Sequence, residues 1–197
     1  MRRIIHALAL ILIPWVSSCD VERKKDDSLI VNMDSRAKVD SSVFVVLPYK
    51  NQRWIFENAS STDLNHRDLL LIEAALRNSV NLFNQQEEKR FYEVSRKNPD
   101  IDFDKWNFLI DLSRYKRQYI AVATNKGDKE VWIYCLSDNA IENMKRMNVL
   151  KDWDWRKSYM QFNDGGNNFF TVRINLTSGK LYYFMTNGSE TINSYSK

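Results

Sequence analysis

Alternation dominates the last third of the chain. In Asn168–Leu176, Phe170, Val172, Ile174 and Leu176 fall on one side and Thr171, Arg173 and Asn175 on the other, the pattern of a strand with one buried face. Ser158–Asn163 and Leu181–Thr186 are similarly rich in aromatic and β-branched residues. Asp164-Gly165-Gly166 and Ser178-Gly179 stand between these runs and reach positive φ at little steric cost. Arg156–Gly188 is therefore predicted to form three antiparallel strands joined by two tight turns. Upstream, Gln118–Thr124 and Glu130–Leu136 predict a hairpin turning at Asn125-Lys126-Gly127. Apolar side chains occupy both faces of these two strands (Ile120 and Val122 against Tyr119 and Ala121; Trp132 and Tyr134 against Ile133), so they belong in the middle of a sheet. Val43–Leu47, closed by Pro48, predicts a short first strand that Trp54-Ile55-Phe56 extends or follows.

The period changes between these strands. Leu69, Ile72, Leu76, Val80 and Phe83 recur at three- and four-residue steps, and Leu70 and Leu71 widen the stripe, as a helix lying across a sheet requires. Thr62 or Asp63 can cap it, and the mainly polar Asn84–Lys97 must end or fray before Pro99. Asp100–Arg117 fits either a short helix around Phe103, Trp106, Leu109 and Ile110 or a lead into a strand. Asp138–Trp155 is a long connection in which Ile141, Met144 and Met147 predict a short helix. Strand, long helix, then four or five strands is an α+β order: one long helix packed on a four- to five-stranded antiparallel sheet, in a single domain over residues 43–190 with a tail at 191–197.

The first residues follow a different logic. Arg2 and Arg3 precede an apolar run, Ile4–Ile13, too short for a bilayer span of ~20 residues, and Val16-Ser17-Ser18-Cys19 follows. That tetrapeptide resembles the lipobox of bacterial lipoproteins. The resemblance implies a signal peptide at 1–18, cleavage before Cys19, acylation of its thiol with chains such as palmitate, and attachment to a membrane of the cell envelope, the outer rather than the inner, facing the periplasm or the surface. Residues 19–42 are charged and polar and read as a tether. Their acids Asp20, Glu22, Asp26 and Asp27, with Lys24 and Lys25, loosely resemble the surface-export signal of Bacteroidota lipoproteins. Removing residues 1–18 leaves 179 of the 197 residues and takes away two arginines and no acid, lowering the net charge from +4 to +2. The basic balance is thus no nucleic-acid footprint. With Cys19 acylated, Cys135 is the remaining thiol and the domain must rest on its hydrophobic core.

The run YKRQY, KEVWIYC, WRKSY, DGGNNFFTVRINL and NG, spread over residues 114–188, resembles uncharacterised secreted or lipid-anchored proteins of Bacteroidota and brings no activity with it. In element order alone the chain is similar to the cystatin-like and nuclear-transport-factor-2-like families.

Residues able to carry chemistry are few. His66 lies in NHRD at the start of the long helix and reads as a first-turn surface residue; Cys135, inside a strand, reads as an inert buried thiol. Asp100, Asp102 and Asp104 lack the glycine and closing glutamate of a calcium loop, and no spacing suggests zinc, so neither a metal nor a cofactor is expected. Asp164-Gly165-Gly166-Asn167 is a turn and not a phosphate cradle, because neither lysine nor helix follows it. The reading is a non-enzymatic binding module whose partners are the membrane, through Cys19, and another envelope protein. An enzyme or small-ligand binder with a cavity between helix and sheet is the alternative. Gln161-Phe162-Asn163-Asp164-Gly165 faintly resembles the Gln-x-Val-x-Gly inhibitory loop of cystatins, without its valine, and makes a proteinase inhibitor the second alternative.

The candidate binding face is Phe169, Arg173, Tyr183 and Phe184, on the sheet face away from the helix unless Asp138–Trp155 covers it. Register selects among them. A two-residue loop at Ser178-Gly179 pairs Ile174 with Tyr183 and leaves Tyr182 and Phe184 on the far face. The three-residue loop preferred here pairs Ile174 with Tyr182 and Val172 with Phe184, and sets Tyr183 beside Arg173.

Overall fold

The computed structural model describes residues 38–147 and 152–187. The signal peptide, Cys19, most of the tether and the C-terminal tail lie outside the described residues. In chain order the elements are β1 (Phe44–Val46), β2 (Ala59–Ser61), α1 (His66–Lys97), β3 (Tyr115–Thr124), β4 (Lys129–Ser137), α2 (Asp138–Arg146), β5 (Gly166–Asn175) and β6 (Lys180–Asn187). The strands form one sheet in the order β1-β3-β4-β5-β6, with β2 also paired to β3. The architecture is α+β, one long helix on a mostly antiparallel sheet. One pairing departs from the antiparallel expectation: β1 runs parallel to β3, with Val45 opposite Gln118.

The cap of α1 is Asn65, later than Thr62 or Asp63. The Thr62 N–H still reaches the Ala121 carbonyl at 3.4 Å, so the chain leaves the sheet only afterwards. Asn65 and Asp68 then exchange side-chain and backbone hydrogen bonds, each 2.9 Å, satisfying two N–H groups that a helix start leaves open. Ile72, Ala75, Leu76, Val80 and Phe83 are buried against Val131, Ile133, Phe170, Val172, Ile174 and Phe184. This apolar layer joins the helix to the sheet. Within it one ion pair is embedded: Glu73 accepts from Arg117 Nη1, and Tyr119 donates its hydroxyl to the same carboxylate at 3.2 Å. Burial is the largest single influence and opposes the Arg117 charge, but Glu73, Tyr119 and Cys135 together outweigh it and hold the guanidinium above its ordinary pKa.

α1 is longer than any strand of the sheet. Its 32 residues span about 48 Å, whereas a ten-residue strand spans about 33 Å. Its buried stripe ends at Phe83, and the second half projects as an arm. Asp100–Arg117, ambiguous in sequence, returns along this arm through short 3-10 turns at Lys105–Asn107 and Leu112–Arg114 before β3 begins at Tyr115. Asn84 holds that return by bonding both the N–H and the C=O of Ile110 at 2.8 Å.

The other sheet face is covered by two segments. Leu47, Tyr49, Ile55 and Phe56, from the connection after β1, pack on Ile120 and Val122. Trp54-Ile55-Phe56 therefore extends no strand; it follows β1 as a turn from which Ile55 and Phe56 enter the core while Trp54 stays exposed. Ala140, Ile141 and Met144 of α2, with Trp153, Trp155, Tyr159 and Phe162, pack on Tyr134, Leu136 and Phe169. α2, Trp153 and Trp155 thus belong to the cover, as the sequence allowed.

Ser158–Asn163 is not a strand. Its backbone is anchored by sheet side chains and not by a ladder: Gln118 Nε2 donates to the carbonyls of Trp155 at 2.6 Å and Ser158 at 2.9 Å, and the Phe162 N–H donates to the Tyr134 hydroxyl at 3.0 Å. Its aromatic residues are used to cross the sheet, which a period-two count cannot distinguish from lying in it. Gln161–Gly165 accordingly does not stand at the tip of a hairpin. Gly165 has φ 114°, and an added Cβ would lie 2.8 Å from the Phe169 ring.

The β5–β6 register follows neither simple loop. Asn175 pairs with Lys180 and Ile174 with Leu181, after which a bulge makes Tyr182 the extra residue and restores Arg173 opposite Tyr183 and Val172 opposite Phe184. The last two pairs agree with the preferred register; Ile174 with Tyr182 does not occur.

Candidate functional site

Alternation along β4 and β5 places Glu130, Trp132 and Arg173 on the face away from α1, and the β6 bulge brings both Tyr182 and Tyr183 to them. Arg173 donates from Nε and Nη2 to Glu130 Oε2 at 3.0 and 2.7 Å. Tyr182 donates to the other carboxylate oxygen at 3.2 Å and accepts from Asn175 Nδ2 at 3.1 Å. The guanidinium lies 4.8 Å from the Phe56 ring centre and 5.3 Å from that of Tyr182. Its charge is neutralised and its plane is held between two rings.

Beside this clamp stands an aromatic cluster. Trp132 meets Tyr183 edge-on at 5.6 Å and Trp54 at 6.5 Å, and Trp54 meets Tyr159 at 5.7 Å. Trp132 Nε1 donates to the Tyr159 hydroxyl at 3.2 Å, and Trp54 Nε1 to Gln52 Oε1 at the same distance. Trp54 is nonetheless 60% exposed. Trp54 and Tyr159, one from each covering segment, thus meet beside Trp132 and Tyr183. An open cleft of about 740 Å³ shares Phe56 and is lined also by Tyr49, Lys50, Arg53, Glu57 and Ser61.

Of the four residues chosen from sequence, the structure brings Arg173 and Tyr183 together. Phe169 faces the same way but is buried, with Phe162 stacked on it at 4.7 Å. Phe184 faces α1, between Phe83 at 5.4 Å and Phe170 at 5.1 Å, and is removed from the face because the bulge returns the strand to helix-facing register at that position. Sequence reasoning missed Trp54, Phe56, Glu130, Trp132, Tyr159 and Tyr182 as site residues. Glu130 was discoverable, as an acid two positions from Trp132 in an otherwise apolar strand. Trp54 and Tyr159 come from irregular segments and carry no periodic signal.

Cys135 is fully buried, and burial pushes its thiol upward. His66 is the exposed first residue of α1. Asp100, Asp102 and Asp104 are exposed, and among the described residues no group of three or more His, Cys, Asp or Glu could hold a metal ion. No helix among the described residues is long and apolar enough to cross a membrane.

Burial raises the phenols of Tyr115, Tyr119, Tyr134, Tyr159 and Tyr183, Tyr134 to about 12. A raised native pKa means that the unfolded chain loses these protons first, so stability is unaffected below the ordinary tyrosine value of about 10 and falls as pH rises above it. Alkaline titration should show phenolate absorbance from these rings appearing together with the loss of near-ultraviolet circular dichroism. Their ionisation in a still-folded protein would contradict that burial.

No family model matches the chain, and searches of curated proteins and of solved structures find no significant match.

Proposed function

We propose that the chain is a lipid-anchored, non-enzymatic binding module of the cell envelope. The observation that carries the binding reading is Trp54, solvent-exposed yet held edge-on by Trp132 and Tyr159, beside Tyr183 and an Arg173 whose charge Glu130 already balances. Exposed aromatic side chains held in place lose little entropy on binding and dominate recognition surfaces. The apolar side chains packed between the middle of α1 and the sheet favour this reading over an enzyme with a cavity there. The anchor rests on Val16-Ser17-Ser18-Cys19 behind its basic and apolar start.

Two measurements test the proposal. Incorporation of labelled palmitate should vanish in Cys19→Ala, and unchanged labelling would remove the anchor. Without its anchor, the Cys19→Ala chain should still sediment with isolated envelopes. Adding Trp54→Ala should weaken that retention about tenfold, or ~1.4 kcal/mol, at an unchanged melting temperature. Equal retention of the two chains would overturn the binding site.

A further inference from the structure

The arm of α1 is a second surface, distinct from the aromatic site and on the opposite side of the sheet. Phe91 packs on Phe108 at 5.4 Å, Phe108 on Phe103 at 6.3 Å, and Lys105 pairs with Glu88 at 2.5 Å, so helix and returning segment are joined to each other. That joining leaves large apolar groups outside: Tyr92 is 59% exposed, Ile101 54% and Trp106 58%. A small domain rarely leaves three such side chains on one projection without a partner.

The exposed charges around them differ in balance between the two parts of the arm. Lys89, Arg96 and Lys97 outnumber Glu93 on the helix, Asp100, Asp102 and Asp104 follow on the returning segment, and none of these forms an ion pair among the described residues. A lipid surface of one sign would attract one group and repel the other. A second copy of the same arm, approached about a two-fold axis, satisfies both: the bases of each copy face the acids of the other, twice, and the exposed rings meet between them. We infer that the arm is a self-association surface through which two copies of this chain form an isologous dimer.

The two-fold geometry makes a specific demand. In the full chain carrying Cys19→Ala, which removes lipid-driven association, sedimentation velocity should show dimers. Asp100→Lys with Asp102→Lys places like charges at both halves of the contact and should raise the dissociation constant at least tenfold. Arg96→Glu with Lys97→Glu should do the same. Mixed in equal amounts, the two charge-reversed chains present opposite charges at both halves and should form a heterodimer. Trp106→Ser, at an exposed position and with an unchanged circular dichroism spectrum, should also dissociate the dimer. A monomeric parent chain, charge-reversed chains that still dimerise, or a mixture that stays monomeric would each overturn the inference.

Discussion

Glu73→Ala is expected to lower the unfolding free energy by about 3–5 kcal/mol, the usual result of stripping one partner from a buried ion pair. Arg117 is 6% exposed, and its Nε has no hydrogen-bond partner even with Glu73 present. Its remaining bond, from Nη2 to the Leu112 carbonyl at 3.3 Å, neutralises no charge. Without Glu73 an uncompensated guanidinium would lie beside Cys135 and Tyr119, and the Tyr119 hydroxyl would lose its acceptor. Removing both charges is a different experiment. Glu73→Leu combined with Arg117→Met should recover most of the loss, because attraction between buried charges roughly repays the cost of desolvating them. Urea unfolding distinguishes the cases. A loss below ~1 kcal/mol for Glu73→Ala would show that water reaches Arg117.

Phe170→Ala should cost about 3–5 kcal/mol, the range for deleting a fully buried aromatic side chain. Phe170 has no exposed surface, stacks on Phe184 at 5.1 Å and meets Tyr115 at 5.2 Å. The walls of the resulting cavity come from α1, β3 and β6, whose separations are set by the rest of the sheet, so the site cannot collapse cheaply. Phe169→Ala, one residue away, provides the contrast. Phe169 lies under the irregular segment around Phe162, which can settle inward. The smaller loss expected there checks that the helix-facing layer is the stiffer one, and equal losses at both positions would refute that difference.

Local periods were readable because they are local. The stripe Ile72, Leu76, Val80 and Phe83 and the alternation Phe170, Val172 and Ile174 each follow from one element having to bury one side, and both are buried as their spacing requires. The β3–β4 hairpin was legible for the same reason, down to its central position. Where two elements compete for the same residues, the pattern lost its power. Ser158–Asn163 has the composition of a strand, yet Gln118 and Tyr134 bind its backbone as a strap across the sheet. Tyr182 was assigned by counting loop residues, and one bulge displaced it, because a strand's faces depend on every insertion before them.

The candidate site divides in the same way. Arg173 and Tyr183 were legible from the sequence as a facing pair once the final register was argued. Trp54, Phe56 and Tyr159 were not, since they reach the site from segments without regular period, one preceding α1 and the other following α2. By itself the sequence determined which residues share a face within each helix and strand, because backbone geometry repeats every 3.6 or two residues and burial must follow it. The tertiary structure alone decided that β1 pairs parallel, that two irregular segments pack on the far face, and which of their rings meet Trp132 and Tyr183 there. Those outcomes depend on contacts between distant segments, whose energies sum over packing and hydrogen bonds that no local repeat records.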